Sequence, residues 1–251
     1  MEVHILASGS SGNCIAVRSG STTILIDAGI PKTKIERRLL DAGIRPDKID
    51  AIFITHAHKD HVKGLPLANK YRIPVYASEG EWRDIRGVDS GLRVDIPKED
   101  GLYEPFIFDM GEFGVIPFGT HHDAYEPLGY RVVGEQTVSI CLDTGHVDDE
   151  MLNAMAASDI YIIEANHDPD LVAVSDYPES VKERILSDLG HLSNQQAAEV
   201  LAKLIRGRGE RIYLTHLSEQ NNMPALALAT VEAALRRQGF LNGFDYLCEV
   251  V

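Results

Sequence analysis

Thr55-His56-Ala57-His58-Lys59-Asp60-His61 is the densest cluster of metal-ligand side chains in the chain. It follows Ala51-Ile52-Phe53-Ile54, an apolar run too short for a helix and read as a buried strand. Imidazole and carboxylate groups gathered just beyond a strand end suit zinc, iron or manganese. A tight turn can aim alternate side chains at two different ions. A polar, solvated loop is the other reading of the same residues. The order H-x-H-x-D-H directly after a strand favours metal.

Outward from this turn, other strand-like runs also end in ligand-type residues. Ile24-Leu25-Ile26 leads into Asp27-Ala28-Gly29, Gly119-Thr120 into His121-His122-Asp123, Leu142 into Asp143-Thr144-Gly145, and Leu214-Thr215 into His216. His121 and His122 are neighbours, so in an extended segment only one of them faces a given side. Pro31 is placed to open a helix carrying Ile35, Leu39 and Leu40, which Gly43 ends. Helices are also expected over 66–71, 81–86, 179–188, 194–205 (with Ser193 as N-cap) and 224–238. Further strands are expected over 3–6, 14–17, 75–77, 105–108, 114–118, 129–133, 137–142, 158–163 and 211–214, and a loop over 87–101. No repeat or linker interrupts the pattern, and one domain is the simplest reading.

These motifs, in this order, resemble the signature of the metallo-β-lactamase fold superfamily over nearly the whole chain. The resemblance implies an α/β protein, a four-layer αβ/βα sandwich of two mixed β-sheets flanked by helices, in a single domain over residues 1–251. It implies two divalent metal ions (Zn, Mn or Fe), with His56, His58 and His122 on the first and Asp60, His61 and His216 on the second. Asp143 would bridge them. His122 is preferred to His121 because the family pattern has His-Asp directly after the strand; His121 is the fallback. Asp27 would orient the histidine turn rather than touch metal, or serve only as a strand-end residue before Gly29.

Residues outside that shared set narrow the resemblance. Leu6-Ala7-Ser8-Gly9-Ser10-Ser11-Gly12-Asn13-Cys14, Glu164-Ala165-Asn166-His167-Asp168, Leu186 to Asn194 and Thr215 to Asn222 are similar to the YycJ/WalJ branch. That branch implies 5′-to-3′ exonuclease action on DNA, hence DNA as substrate and partner. Two cations can activate water in line with phosphorus and neutralise charge on its oxygens. Asp60 and Asp143 would take part through the metals. His191 could donate to the scissile phosphate or protonate the leaving oxygen, and His167 is a second candidate. Each could instead be a histidine bonded to backbone at an element boundary. The turn at Ser10, Ser11 and Asn13 could cradle an anion or be a plain hairpin turn.

Composition sets bounds. The chain has 251 residues, is 44% hydrophobic and carries a formal charge of −14, which argues against a protein that coats nucleic acid through a basic surface. Lys32, Lys34, Arg37 and Arg38, and Arg206, Arg208 and Arg211, are small basic groups of the kind usual on solvated faces. Cys14, Cys141 and Cys248 have no C-x-x-C spacing and read as reduced, buried residues. No stretch is apolar enough to span a membrane, and no secretory signal is recognised, so the expected location is the cytoplasm. The expected function is a two-metal phosphodiester hydrolase, a DNA exonuclease. A small-molecule phosphodiesterase fits the acidic composition, and a metal-binding regulatory protein without catalysis is the non-enzymatic alternative.

Overall fold

All five residues of β3 (Thr22–Ile26) and all three of β4 (Ala51–Phe53) are buried. Continuous apolar runs of this kind belong to strands covered on both faces, as parallel strands are. The structure, a computed structural model, describes residues 1–99, 103 and 106–251. Its contacts divide the chain into two compact units. The first comprises Met1–Gly119 and Ala124–Glu135; the second comprises Thr120–Asp123 and Gln136–Val251.

In the first unit, β1 (Glu2–Ala7), β2 (Cys14–Ser19) and β3 pair antiparallel, while β3, β4, β5 (Val75–Ser78) and β6 (Arg93–Ile96) pair parallel. Helix α1 (Lys32–Asp41) makes the crossover from β3 to β4 and buries Ile35 and Leu39. Leu40, counted with that stripe from sequence, is instead 59% exposed. Gly43, at φ +70°, ends the helix region as expected. The short helices α2 (Lys59–Val62) and α3 (Pro66–Tyr71) separate β4 from β5. Strands β7 (Phe108–Asp109), β8 (Gly114–Gly119) and β9 (Leu128–Val133) are antiparallel. The Phe53 ring stacks on Tyr76 at 4.5 Å and meets Phe108 and Tyr130 edge-on, and the Tyr130 hydroxyl donates to the Ile54 carbonyl.

In the second unit, β10 (Thr137–Cys141), β11 (Ile160–Glu164), β12 (Glu210–Thr215) and β13 (Tyr246–Val250) are parallel, each beside the next. Helix α4 (Asp149–Met155) connects the first pair. Helices α5 (Pro169–Val174), α6 (Glu179–Leu186) and α7 (Asn194–Leu204) connect the second pair, and α8 (Pro224–Arg237) the third. Ser193 caps α7 in a full capping box with Gln196. Two mixed β-sheets flanked by helices are therefore present, as the fold class expected from sequence requires.

The sequence expectations differ from the structure in several places. Residues 81–86 hold only a 3₁₀ turn, Glu81–Arg83. The expected loop over 87–101 contains β6, a four-residue strand in which exposed Arg93 and Asp95 alternate with Val94 and Ile96; Gly101 lies outside the described residues. The strand expected over 105–108 begins at Phe108, and Pro105 lies outside the described residues. Helices α2, α4 and α5, each of four to seven residues, and strand β13 were not anticipated. All three cysteines are buried and unpaired by disulfide. No helix among the described residues is long and apolar enough to cross a membrane.

Candidate functional site

Parallel neighbours bring their C-terminal ends to one edge, and in the first unit that edge is where the histidine turn begins. Asp27 follows β3 and Thr55-His56 follow β4. The buried Asp27 carboxylate accepts from the Thr55 N–H at 2.8 Å and from the Thr55 hydroxyl at 2.9 Å, and lies 2.7 Å from His61 Nδ1. Burial raises its carboxyl above the ordinary value, against the opposing pull of His61 and Thr55. The Thr55 N–H and hydroxyl donate to Asp27, which accepts in turn from His61 Nδ1–H.

The Thr55 hydroxyl spends its single proton on Asp27, so His56 Nδ1, 3.1 Å away, is the donor in that contact. His56 and His61 therefore both carry Nδ1–H, the tautomer in which a neutral imidazole coordinates a cation through Nε2. The rings of His56 and His58 are 4.5 Å apart and 78° from coplanar, and those of His56 and His61 are 4.0 Å apart. Asp60, half-buried in the first turn of α2, lies 3.6 Å from His61 Nε2. Backbone bonds tie this turn to the Asp27-Ala28-Gly29 segment: Ala28 N–H donates to the His61 carbonyl and Asn13 N–H to that of Asp60. A Cβ on Gly29 would sit 1.6 Å from the Asp60 carbonyl oxygen, so glycine is required there. Asn13 accepts from the Gly9 N–H and places its amide nitrogen 3.1 Å from His61 Nε2, so it organises its own turn and touches the histidine.

In the second unit, Asp143, Glu164 and His216 lie at or just beyond the C-terminal ends of β10, β11 and β12. Asp143, Glu164, His191 and His216 each present a donor atom, all within 4.8 Å of one another. His216 Nδ1 is 2.5 Å from Asp143 Oδ1 and 3.3 Å from Glu164 Oε2. His191 Nδ1 is 3.1 Å from Glu164 Oε2. Burial opposes charge on His191, but the Glu164 carboxylate outweighs it and the imidazole is held above its ordinary value. Burial opposes the Glu164 charge too; His191 overrides it, and the carboxyl falls to about 2. Glu164 also accepts from the N–H groups of Thr144 and Leu192.

The four residues Thr120–Asp123 belong to the second unit although the chain on either side belongs to the first. Here the adjacent histidines part. His122 is buried, donates from Nδ1 to the Gly190 carbonyl at 3.0 Å, and has Nε2 3.9 Å from Asp143 Oδ2. Burial holds its imidazole below the ordinary value. His121 stacks on His146 and bonds Asp148 at 2.7 Å. His167 is buried with its Nδ1 lacking a hydrogen-bond partner among the described residues, and burial lowers it to about 4. Its neighbour Asp168 caps α5. A Cβ on Gly145 would fall 2.3 Å from the Asp188 carbonyl carbon, repeating at Asp143-Thr144-Gly145 the close approach seen at Asp27-Ala28-Gly29. Asp27, Asp143 and His216 all have left-handed backbone, at φ 61°, 43° and 54°.

Glu164 was not singled out from sequence as a site residue, although an acidic residue closing the apolar run Ile160–Ile163 was a visible signal. Asn166, Asn194 and Asn222 are structural: Asn166 donates to the His216 carbonyl, and Asn194 and Asn222 exchange amide bonds.

Strand-end aspartates and histidines of this order define a metal-site protein of the β-lactamase superfamily, and the chain belongs to it: residues 22–217 match the model of the beta-lactamase superfamily domain. Over 250 residues it is 39% identical to exodeoxyribonuclease WalJ of Streptococcus pneumoniae serotype 2, covering 96% of this chain and 91% of that protein. It is 37% identical over 248 residues to exodeoxyribonuclease YycJ of Bacillus anthracis, at the same two coverages. Among solved structures it is similar to the metallo-β-lactamase fold protein YhfI of Bacillus subtilis, with TM-score 0.73 and 16% identity over 99% of this chain and 95% of that one. A diphosphatase of the PhnP family has TM-score 0.66 and 20% identity, with 99% and 93% covered.

Proposed function

We propose that this chain is a metal-dependent phosphodiester hydrolase acting on DNA, an exonuclease working from the 5′ end, in which residues 1–251 act as one domain. His56, His58 and His122 are assigned to one divalent ion, Asp60, His61 and His216 to a second, and Asp143 to both. The observation that carries this reading is the shared ring orientation of His56, His61 and His122. Each turns Nδ1 toward a protein oxygen, the orientation in which a neutral imidazole coordinates a cation through Nε2. Zinc, manganese and iron all accept such a donor set. The names of the relatives support DNA as the substrate and an exonuclease as the activity.

Divalent ions bound to these residues supply Lewis acidity toward the phosphodiester and a nucleophile at neutral pH. The protein's own part is proton delivery. His191 holds one proton toward Glu164 and offers the other, from Nε2, to the oxygen that leaves as the P–O bond breaks. Glu164 keeps that imidazole charged and in one orientation. His167, neutral at physiological pH, is a hydrogen-bonding candidate rather than an acid. The net charge of −14 favours one other reading, a phosphodiesterase for small substrates, which need no basic track.

The test is cleavage of end-labelled double-stranded DNA bearing a 5′-phosphate, at low salt, with Mn²⁺, Zn²⁺ or EDTA, by wild type and Asp143→Ala. Metal-dependent stepwise loss from the 5′ end, absent in the variant, is expected. A metal-loaded wild type that leaves DNA intact but cleaves a small phosphodiester would put the second reading first.

A further inference from the structure

Asp27 follows β3 and His56 follows β4; the next parallel neighbour, β5, is followed by Glu81, which belongs to none of the motifs above. Glu81 is 1% exposed, and both carboxylate oxygens are engaged by backbone. Oε2 accepts from the Ala57 N–H at 2.6 Å and Oε1 from the Glu126 N–H at 2.7 Å. The Glu126 carboxylate in turn accepts from the Gly80 N–H at 2.7 Å, and the Ser78 hydroxyl donates to the Glu126 carbonyl at 2.8 Å. Residues 78–81 and Glu126 thus form a closed ring of bonds, and one arm reaches from it into the histidine turn.

Ala57 stands between His56 and His58. The peptide unit joining His56 to Ala57 is planar, so the direction of its N–H fixes the ψ of one residue and the φ of the next. In a turn with no ladder to hold it, that plane is the freedom that decides how two alternate side chains diverge. A buried carboxylate accepts hydrogen bonds and repels carbonyl oxygens, so the plane cannot flip without placing an oxygen against the charge. We propose that Glu81 is a positioning residue for the metal-binding turn: through the Ala57 N–H it sets the angle between the His56 and His58 imidazoles before a cation arrives. Both of these hydrogen bonds are to backbone, so it acts on the turn through the main chain. The inference rests on the assignment of His56 and His58 as metal ligands.

Glu81→Gln tests it, because one oxygen becomes an NH₂ group that must face an N–H donor. Co²⁺ is titrated into the full-length metal-free chain, followed by its visible d–d absorption and by competition with a chelator, with circular dichroism as the control for folding. A natively folded variant is expected to bind Co²⁺ about 10- to 100-fold more weakly, as for other groups that orient ligands, with a changed d–d band. A folded variant with wild-type affinity and spectrum overturns the proposal. If the variant does not fold, hydrogen exchange at Ala57 in the wild type decides: a protected amide supports the bond, and exchange at the rate of an open loop overturns it. A wild-type chain that takes up no Co²⁺ overturns the metal reading itself, a different result from the other two.

Discussion

His61 Nδ1 lies 2.7 Å from Asp27 Oδ2, and neither side chain has any exposed surface. The carboxylate comes from the end of β3 and the imidazole from α2. Between them Thr55, at the end of β4, bonds the same carboxylate through its N–H and its hydroxyl.

Asp27→Ala is expected to destabilise the chain by about 3 kcal/mol, since it strands buried donors and removes one partner of a buried pair. Urea unfolding of the metal-free protein measures this. Metal affinity, measured by chelator competition, is expected to fall about 10- to 100-fold because the His61 tautomer is no longer fixed. An unchanged unfolding midpoint would mean that Asp27 is only a turn residue.

The different directions of His121 and His122 give a paired test. His122→Ala is expected to lose metal affinity by at least about tenfold, and His121→Ala to change it by less than about threefold, loosening its contacts with Asp148 and His146. Calorimetric metal titration of both variants would reverse this assignment if His121 proved the more sensitive.

Glu164→Gln separates proton delivery from metal binding. The turnover number is expected to drop about 10²- to 10⁴-fold, with much less change in metal affinity. The pH profile carries a sign. His191 acts in its charged form and is held above its ordinary value, so activity should fall as pH rises through that raised value. Without the carboxylate the same limb should move to lower pH. A limb that stays in place would exclude His191 as the acid.

His167 makes a prediction about stability. Its folded value of about 4 lies below the ordinary 6.5, so the unfolded chain binds the proton more readily. The stability tied to neutral His167 is fully present above pH 6.5 and is lost progressively as pH falls toward 4, by about 3 kcal/mol in all. Urea midpoints measured from pH 7 to pH 4 for wild type and His167→Asn check this. The variant should show the shallower decline.

Much of this site was legible in sequence because ligand chemistry leaves short-range marks. His56, His58, Asp60 and His61 crowd one turn, and Asp27, Asp143 and His216 each close an apolar strand. Glu164 also closes one, yet a charged residue at a strand end reads equally well as a solvent contact. Glu81 could not be found that way. Its partners are the backbone amides of residues 24 and 45 positions away, and any residue but proline offers an amide. The short helices were obscured for a related reason: tertiary contacts, rather than local periodicity, hold them in place.

The left-handed backbone at Asp27, Asp143 and His216 sets the interests of the fold against those of the chemistry. Residues with a Cβ are unfavourable there by about 1–2 kcal/mol each, and glycine is not. Asp143→Gly should therefore melt above Asp143→Ala, both variants lacking the carboxylate. Once the carboxylate of Asp143 is lost, a screen rewarding heat resistance alone would favour glycine over alanine there and collect sturdier, inert proteins. At Asp143 and His216 it is the chemistry that keeps side chains at corners where the backbone would rather have none.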